Sequence, residues 1–343
     1  MSTSSRREFL VTSIGGLAAS AAFGGHAHAQ DAKQQDIPKL PQLERRKLGK
    51  TDLTVGVLGF GGAEMGYAKT ELDVVERMLL TALDQGLDAI DTAECYGISE
   101  EQIGATIAHR RDEYKLFTKV GHWPDDGWSA AGIARSIERS LERLKTDHVD
   151  IVHLHSCGLD VLKKGEVIEA LEAARKAGKT RYIGYSGDSE AAKYAVETGR
   201  FDTLMTSISI ADQEAIDLFL PKARESEMGV IVKRGIANAA WRYDSEPKQG
   251  YHVEYWKRLQ KLDYDFCSGE RKADEGPDGA AGIALRFTLG LPGVHTSVVG
   301  TTNPERFAAN RALLAAGPLP QAQVDAIRKR WKEVAKPDWI GQT

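Results

Sequence analysis

Eight short apolar runs, each followed by a polar or helix-period stretch, constrain this chain more than any other feature. They are VGVLGFG (55–61), LDAIDTA (87–93), YKLFTKVG (114–121), VDIVHLHS (149–156), TRYIGYSG (180–187), DTLMTSISI (202–210), GVIVKRG (229–235) and TSVVGT (296–301). Between the third and fourth, SAAGIARSIERSLERLK (129–145) repeats Ile133, Ile137, Leu141 and Leu144 at helical spacing with Arg and Glu opposite, which predicts a helix. Strands that alternate with helices pair in parallel, and a count of eight predicts closure. The expected fold is therefore α/β: a single-domain (β/α)8 TIM barrel over residues 45–343. No G-x-G-x-x-G opens a helix after a strand, which argues against a doubly wound dinucleotide-binding sheet. The long polar segment 247–279 reads as an inserted loop and helix at the barrel mouth.

The N-terminal residues follow different rules. Arg6 and Arg7, with Phe9 and Leu10 behind them, resemble the twin-arginine export signal of bacteria. The apolar stretch from Val11 to Phe23 is too short to span a bilayer, and Ala27-His28-Ala29 has the small-x-small form of a cleavage site. The expectation is a signal over 1–29 that is recognised by the twin-arginine export machinery and cleaved after Ala29. It leaves a periplasmic protein with no stable membrane span, a linker over 30–44 and then the barrel; a retained N-terminal anchor is the alternative. With 45 basic and 49 acidic side chains the formal charge is −4, and no basic run follows a phosphate backbone, so nucleic acid is excluded as a partner. Cys95, Cys157 and Cys267 are too few and scattered for a disulfide framework, although Cys95 and Cys157 both follow neighbouring strands.

In a barrel of this kind chemistry gathers at the C-terminal strand ends. Asp91 ends the second run with Tyr96 in the loop after it, Lys119 ends the third, His155 the fourth and Ser186 the fifth. Taken singly, Asp91 reads as a turn cap, Lys119 as a solvated strand end and His155 as a core histidine. Together, Asp, Tyr, Lys and His fit acid catalysis on a carbonyl. A phenol titrates near 10, an adjacent ammonium lowers it, a carboxylate holds the ammonium, and an imidazole orients the carbonyl oxygen.

The sequence resembles the aldo/keto reductase superfamily, from RRKLGKTDLTVGVLGFG (45–61) to GTTNPERFAAN (300–310), through DTAECYG, FTKVG, VDIVHLH and GKTRYIGYSG. The resemblance implies a catalytic tetrad of Asp91, Tyr96, Lys119 and His155 and an NADP(H)-dependent interconversion of a small-molecule carbonyl and an alcohol. It implies that Ser186 contacts the nicotinamide carboxamide, and that Gly300, Thr301, Arg306 and Asn310 lie along the adenosine phosphate and adenine. Asn303 is placed to cap a helix beginning at Pro304, with Arg306 and Asn310 on one face at i, i+4, a ready anion site. A plain capped surface helix is the alternative.

The sequence also departs from the family pattern. Gly187 follows Ser186 where Asn is frequent, and Met205 stands where a carboxamide-binding Gln is usual. Lys233 and Arg234 occupy the seventh strand end, where they either meet the cofactor pyrophosphate or line the rim. Trp123 and Trp128 read equally as an aromatic wall of the substrate pocket and as packed loop anchors. His153, His155 and Cys157 alternate as metal ligands would, but no further ligand accompanies them, and no metal is expected. An exported cofactor-binding redox sensor or partner subunit with little turnover is the second functional reading.

Overall fold

The computed structural model describes residues 42–122, 127–248 and 250–342. The signal, its cleavage point, most of the linker and Trp123 lie outside them. Two short strands, β1 (Arg45–Lys47) and β2 (Thr54–Gly56), form an antiparallel hairpin. Eight further strands follow: β3 (Leu58–Gly61), β4 (Ala89–Asp91), β5 (Lys115–Val120), β6 (Val149–His155), β7 (Thr180–Ser186), β8 (Thr203–Ser207), β9 (Gly229–Lys233) and β10 (Thr296–Gly300). They pair in parallel in chain order, and β10 closes onto β3, giving the (β/α)8 barrel that the alternation predicts. All eight predicted runs contain a barrel strand. The first divides, because 55–61 supplies both an arm of the hairpin and β3, with the turn of direction at Val57.

Two apolar cores result. The larger fills the space between the barrel and its surrounding helices. The smaller lies inside the barrel and comprises Ala89, Phe117, Ile151, Met205, Ile231 and Val298, with Leu48, Leu53 and Val55 of the hairpin packed among them. The hairpin is thus a plug for the N-terminal mouth. Because side chains alternate along a strand, the inward residue two positions after Ala89 is Asp91, after Phe117 is Lys119, and after Ile231 is Lys233. The apolar layer is the floor on which a charged layer stands.

The predicted helix over 129–145 is Ala130–Leu144, with the Ser129 hydroxyl accepting from the Gly132 amide and Lys145 ending it in the left-handed region. Segment 247–279 holds the helix Tyr251–Leu262 and two short 3-10 turns, Asp265–Cys267 and Gly269–Lys272. Its Arg258 is fully buried and donates to the carbonyls of Ala211 and Ile340. The insertion is therefore packed into the body, not appended to it. The anion-site helix starts later than the capping pattern predicts, at Arg306: Asn303 Oδ1 accepts from the Glu305 amide across a turn at 304–305. An Asx turn precedes the helix because the short Asn side chain satisfies the nearest free amide first. Among the described residues no helix is long and apolar enough to cross a membrane.

Candidate active site

The loop after β4 carries most of the site, and it is held at several points. Thr92 donates its amide to Phe117 and Glu94 to Lys119, so the chain stays tied to β5 beyond the strand end. The buried Glu94 carboxylate accepts from the Gly121 amide at 2.8 Å and the Ser136 hydroxyl at 2.9 Å, and pairs with Arg139 at 3.2 Å. Gly97, at φ +57°, turns the chain against Gly66, whose own missing side chain matters equally: a Cβ there would lie 2.0 Å from the Tyr96 carbonyl oxygen. The helix Ala63–Tyr67 can consequently close directly onto the Tyr96 loop.

At the centre of this frame is the Lys119 ammonium, fully buried. It donates to Asp91 Oδ2 at 2.6 Å, to the Thr92 carbonyl at 2.9 Å and to Tyr96 Oη at 3.1 Å. Three N–H donors meet three acceptors, which is the full capacity of the group. Burial pulls the Asp91 carboxyl above its ordinary range, and the Lys119 charge works against that pull. Burial, helped by the Asp91 charge, also pushes the Tyr96 phenol well up, contrary to the lowering expected from an adjacent ammonium. Desolvation of a would-be phenolate outweighs the attraction, so Tyr96 is held protonated with its oxygen fixed by Lys119.

His155 ends β6 and stands edge-on to Tyr96, with ring centroids 5.4 Å apart. Its Nδ1 lies 3.3 Å from Cys95 Sγ, and the His122 ring is 4.8 Å away. Burial and the Lys119 charge push its pKa well below the usual value, which leaves the imidazole neutral. The four residues drawn from three strand ends and one loop are therefore brought together: a protonated phenol, a neutral imidazole and a buried ion pair. Such a set can donate a proton and hydrogen bonds to one oxygen.

The other predicted residues divide. Ser186 ends β7 beside His155, fully buried, and its hydroxyl has no hydrogen-bond partner. An orphaned buried hydroxyl at the rim fits a polar ligand group. Met205, next to it on β8, is part of the apolar floor. Gly187 has a steric reason: a Cβ would lie 2.5 Å from the Tyr185 hydroxyl, which donates to the Cys157 carbonyl. Gly300 pairs with Gly61 at the end of β10, and the Thr301 hydroxyl accepts from the Asn303 amide. Arg306 faces Glu275 at 3.7 Å, with Asn310 buried one turn on. Beside them lies a cavity of about 260 Å³ walled by Trp241, Arg242, Lys272, Glu275, Arg306 and Leu313.

Lys233 and Arg234 line the rim and are already engaged. Lys233 pairs with Asp188 at 2.8 Å, and burial lowers its pKa to about 8. Burial pulls Asp188 up, but Lys233 and the Thr206 and Ser207 donors outweigh it and hold the carboxyl low. Arg234 lies 3.6 Å above the Tyr251 ring and donates to the Ser207 hydroxyl. Trp128 packs over Gly121 and edge-on to His122, so it has the contacts of a loop anchor. His153, His155 and Cys157 each have a separate partner: Thr203, Cys95 and the Gly158 carbonyl. All three cysteines are free thiols.

Sequence reasoning missed Cys95, Tyr67, His122 and Asp188. Cys95 stood inside DTAECYG, where adjacency to Tyr96 was the available signal.

Against known proteins, the aldo/keto reductase family model matches residues 57–332. The chain belongs to the aldo/keto reductase family. This member is 27% identical to L-galactose dehydrogenase of Arabidopsis thaliana over 88% of its own length and 100% of that protein's. It is 30% identical to D-threo-aldose 1-dehydrogenase of a Pseudomonas species, over 75% and 89%. The holo form of an aldo-keto reductase from Bacillus halodurans superposes with a TM-score of 0.72 at 26% identity, covering 87% of this chain and 99% of that one. The aldo/keto reductase barrel is thus shared over nearly all the described residues.

The ion pair under this reductase's candidate site yields a test. Removing one partner of a buried pair leaves an uncompensated charge and costs about 3–5 kcal/mol. Urea unfolding of Lys119→Met and Asp91→Asn is expected to show large losses singly and a double variant much better than their sum. Simple additivity would mean that the two groups do not stabilise one another.

Proposed function

We propose that the protein is an NADP(H)-dependent oxidoreductase that interconverts an aldehyde or ketone with an alcohol, Tyr96 being the general acid. The observation that carries this reading is the Tyr96 hydroxyl held by the Lys119 ammonium at 3.1 Å, with the His155 ring edge-on beside it. When bound, the reduced nicotinamide supplies the hydride to the carbonyl carbon. Tyr96 gives its proton to the carbonyl oxygen as charge develops there, and the ammonium of Lys119 stabilises the oxygen left behind. Asp91 holds that ammonium in place at 2.6 Å. His155 donates a hydrogen bond to the same substrate oxygen and fixes its position. In the reverse direction Tyr96 must first give up its own proton, and as phenolate it then accepts the alcohol proton.

Several features support a dinucleotide phosphate as cofactor. Ser186 offers an unpartnered hydroxyl for the carboxamide, and Arg306 and Asn310 stand one turn apart beside the 260 Å³ cavity. Arg242 and Lys272 also line its walls, Lys272 paired with Asp244, together with the acids Asp274 and Glu275. Glu275 is 74% exposed, so its carboxylate can leave Arg306 for water at little cost when a phosphate enters. Lys233 is paired with Asp188 and Arg234 with the Ser207 hydroxyl, which supports the Arg306 side as the chief phosphate contact. The two relatives named as dehydrogenases support a hydroxyl-bearing substrate class.

Tyr96→Phe removes the donor and almost no volume. It is expected to lower carbonyl reduction by at least about 10²-fold while nucleotide binding, followed by fluorescence titration, is retained. Near-normal turnover would remove Tyr96 from the reaction, and nucleotide binding without turnover in the unaltered protein would favour the sensor reading. Arg306→Ala is expected to weaken NADPH by about 1.5–3 kcal/mol and NADH far less. Equal losses for both would return Arg306 to a surface helix.

A further inference from the structure

Among the described residues, the hydrogen-bond contact of His155 is to a sulfur. Cys95 Sγ lies 3.3 Å from Nδ1, with the Tyr67 side chain close to the same sulfur. The three groups come from three places: the helix Ala63–Tyr67, the loop after β4, and the end of β6. They meet because Gly66 and Gly97 let helix and loop approach within backbone contact, where any side chain would collide. The Tyr67 ring also leans on Tyr96, with centroids 5.7 Å apart.

We infer that Cys95 is a positioning residue that sets the tautomer of His155, its S–H donating to Nδ1 so that the ring proton resides on Nε2, the nitrogen left to face a substrate oxygen. This rests on the reading of His155 as the group that orients the carbonyl. The direction of the bond follows from what each atom can do. A neutral imidazole carries one N–H, and a thiol has one proton and a weakly accepting sulfur. Sulfur accepts weakly whereas an unprotonated imidazole nitrogen accepts well, so the better pairing has S–H pointing at Nδ1. Burial keeps the thiol protonated, with its pKa pushed up to about 12, and keeps the imidazole neutral, so neither group escapes the arrangement by ionising. The opposite tautomer would present a bare Nε2 lone pair to the carbonyl oxygen, and two acceptors repel. Setting which nitrogen carries the proton through a contact at the other is a general way to commit a histidine to one role.

Two variants and one spectrum test this. Cys95→Ser keeps an O–H donor at the same place; Cys95→Ala removes it. In protein labelled with ¹⁵N-histidine and free of nucleotide, a long-range ¹H–¹⁵N correlation spectrum reads the His155 tautomer directly, whatever the enzyme's substrate proves to be. The expected result is the Nε2–H form in the unaltered protein and in Cys95→Ser, and a mixed population in Cys95→Ala. With a carbonyl substrate, Cys95→Ala is expected to lose about tenfold in kcat with little change in KM, and Cys95→Ser to recover to within about threefold. An Nδ1–H tautomer in the unaltered protein would overturn the inference. So would an unchanged Nε2–H tautomer in Cys95→Ala, or a Cys95→Ser protein, folded by circular dichroism, that loses as much kcat as Cys95→Ala. The spectrum would still decide if no carbonyl were reduced, so failure of the inference and failure of the proposed reaction are separable.

Discussion

A single buried ammonium organises this molecule's mouth. Lys119 is out of water, and a charge in that position persists only if every donor is satisfied. Asp91, the Thr92 carbonyl and Tyr96 supply the three acceptors, and each comes from the β4 strand end or the loop after it. The loop therefore cannot move without stranding the charge. Glu94 fixes that loop from the other side through the Gly121 amide, Ser136 and Arg139. The position of Tyr96 is consequently set by electrostatic satisfaction rather than by packing alone, which is the preorganisation that the proposed proton transfer needs.

The rest of the barrel can be understood as support for that charge. The apolar floor of Ala89, Phe117, Ile151, Met205, Ile231 and Val298 excludes water from below, and the hairpin residues Leu48, Leu53 and Val55 seal the floor. Low local polarity is what keeps Tyr96 protonated and His155 neutral. On the opposite side of the rim the same physics is solved a second time: Lys233 and Asp188 pair at 2.8 Å, with the Gln342 carbonyl near the end of the chain accepting at 3.4 Å from Lys233 and from the Ser207 hydroxyl. Asp212, beyond β8, has its pKa raised to about 7 by burial, with the Tyr255 hydroxyl donating to it and Arg258 at 3.8 Å. The insertion and the C-terminal tail thus complete the polar network of β7 to β9.

The strands were legible because each is a short apolar run between polar stretches. The four converging residues were legible because strand ends in a closed barrel share one rim. What the sequence hid has physical reasons. The run 55–61 looks like one strand, since nothing in its composition marks Val57 as the point where a plug becomes a barrel. The Asn303 cap was visible, but two residues were needed to satisfy its turn before the helix began. The sign of the Tyr96 shift depends on how completely a phenol is dried, which no spacing records. The Tyr67–Cys95–His155 contacts depend on two glycines permitting backbone approach, and the Lys233–Asp188 pair joins residues 45 positions apart on neighbouring sides of the rim.

In the proposed reaction the Lys119-held tyrosine delivers a proton to a carbonyl oxygen while its carbon receives hydride. The most direct measurement is the fate of deuterium from NADPH labelled at nicotinamide C4, read by mass spectrometry of the alcohol formed from an aldehyde or ketone in ordinary water. One deuterium is expected on the former carbonyl carbon when the transferred position carries the label. Nicotinamide oxidation that leaves no deuterium on that carbon from either C4 label would contradict the proposed reaction.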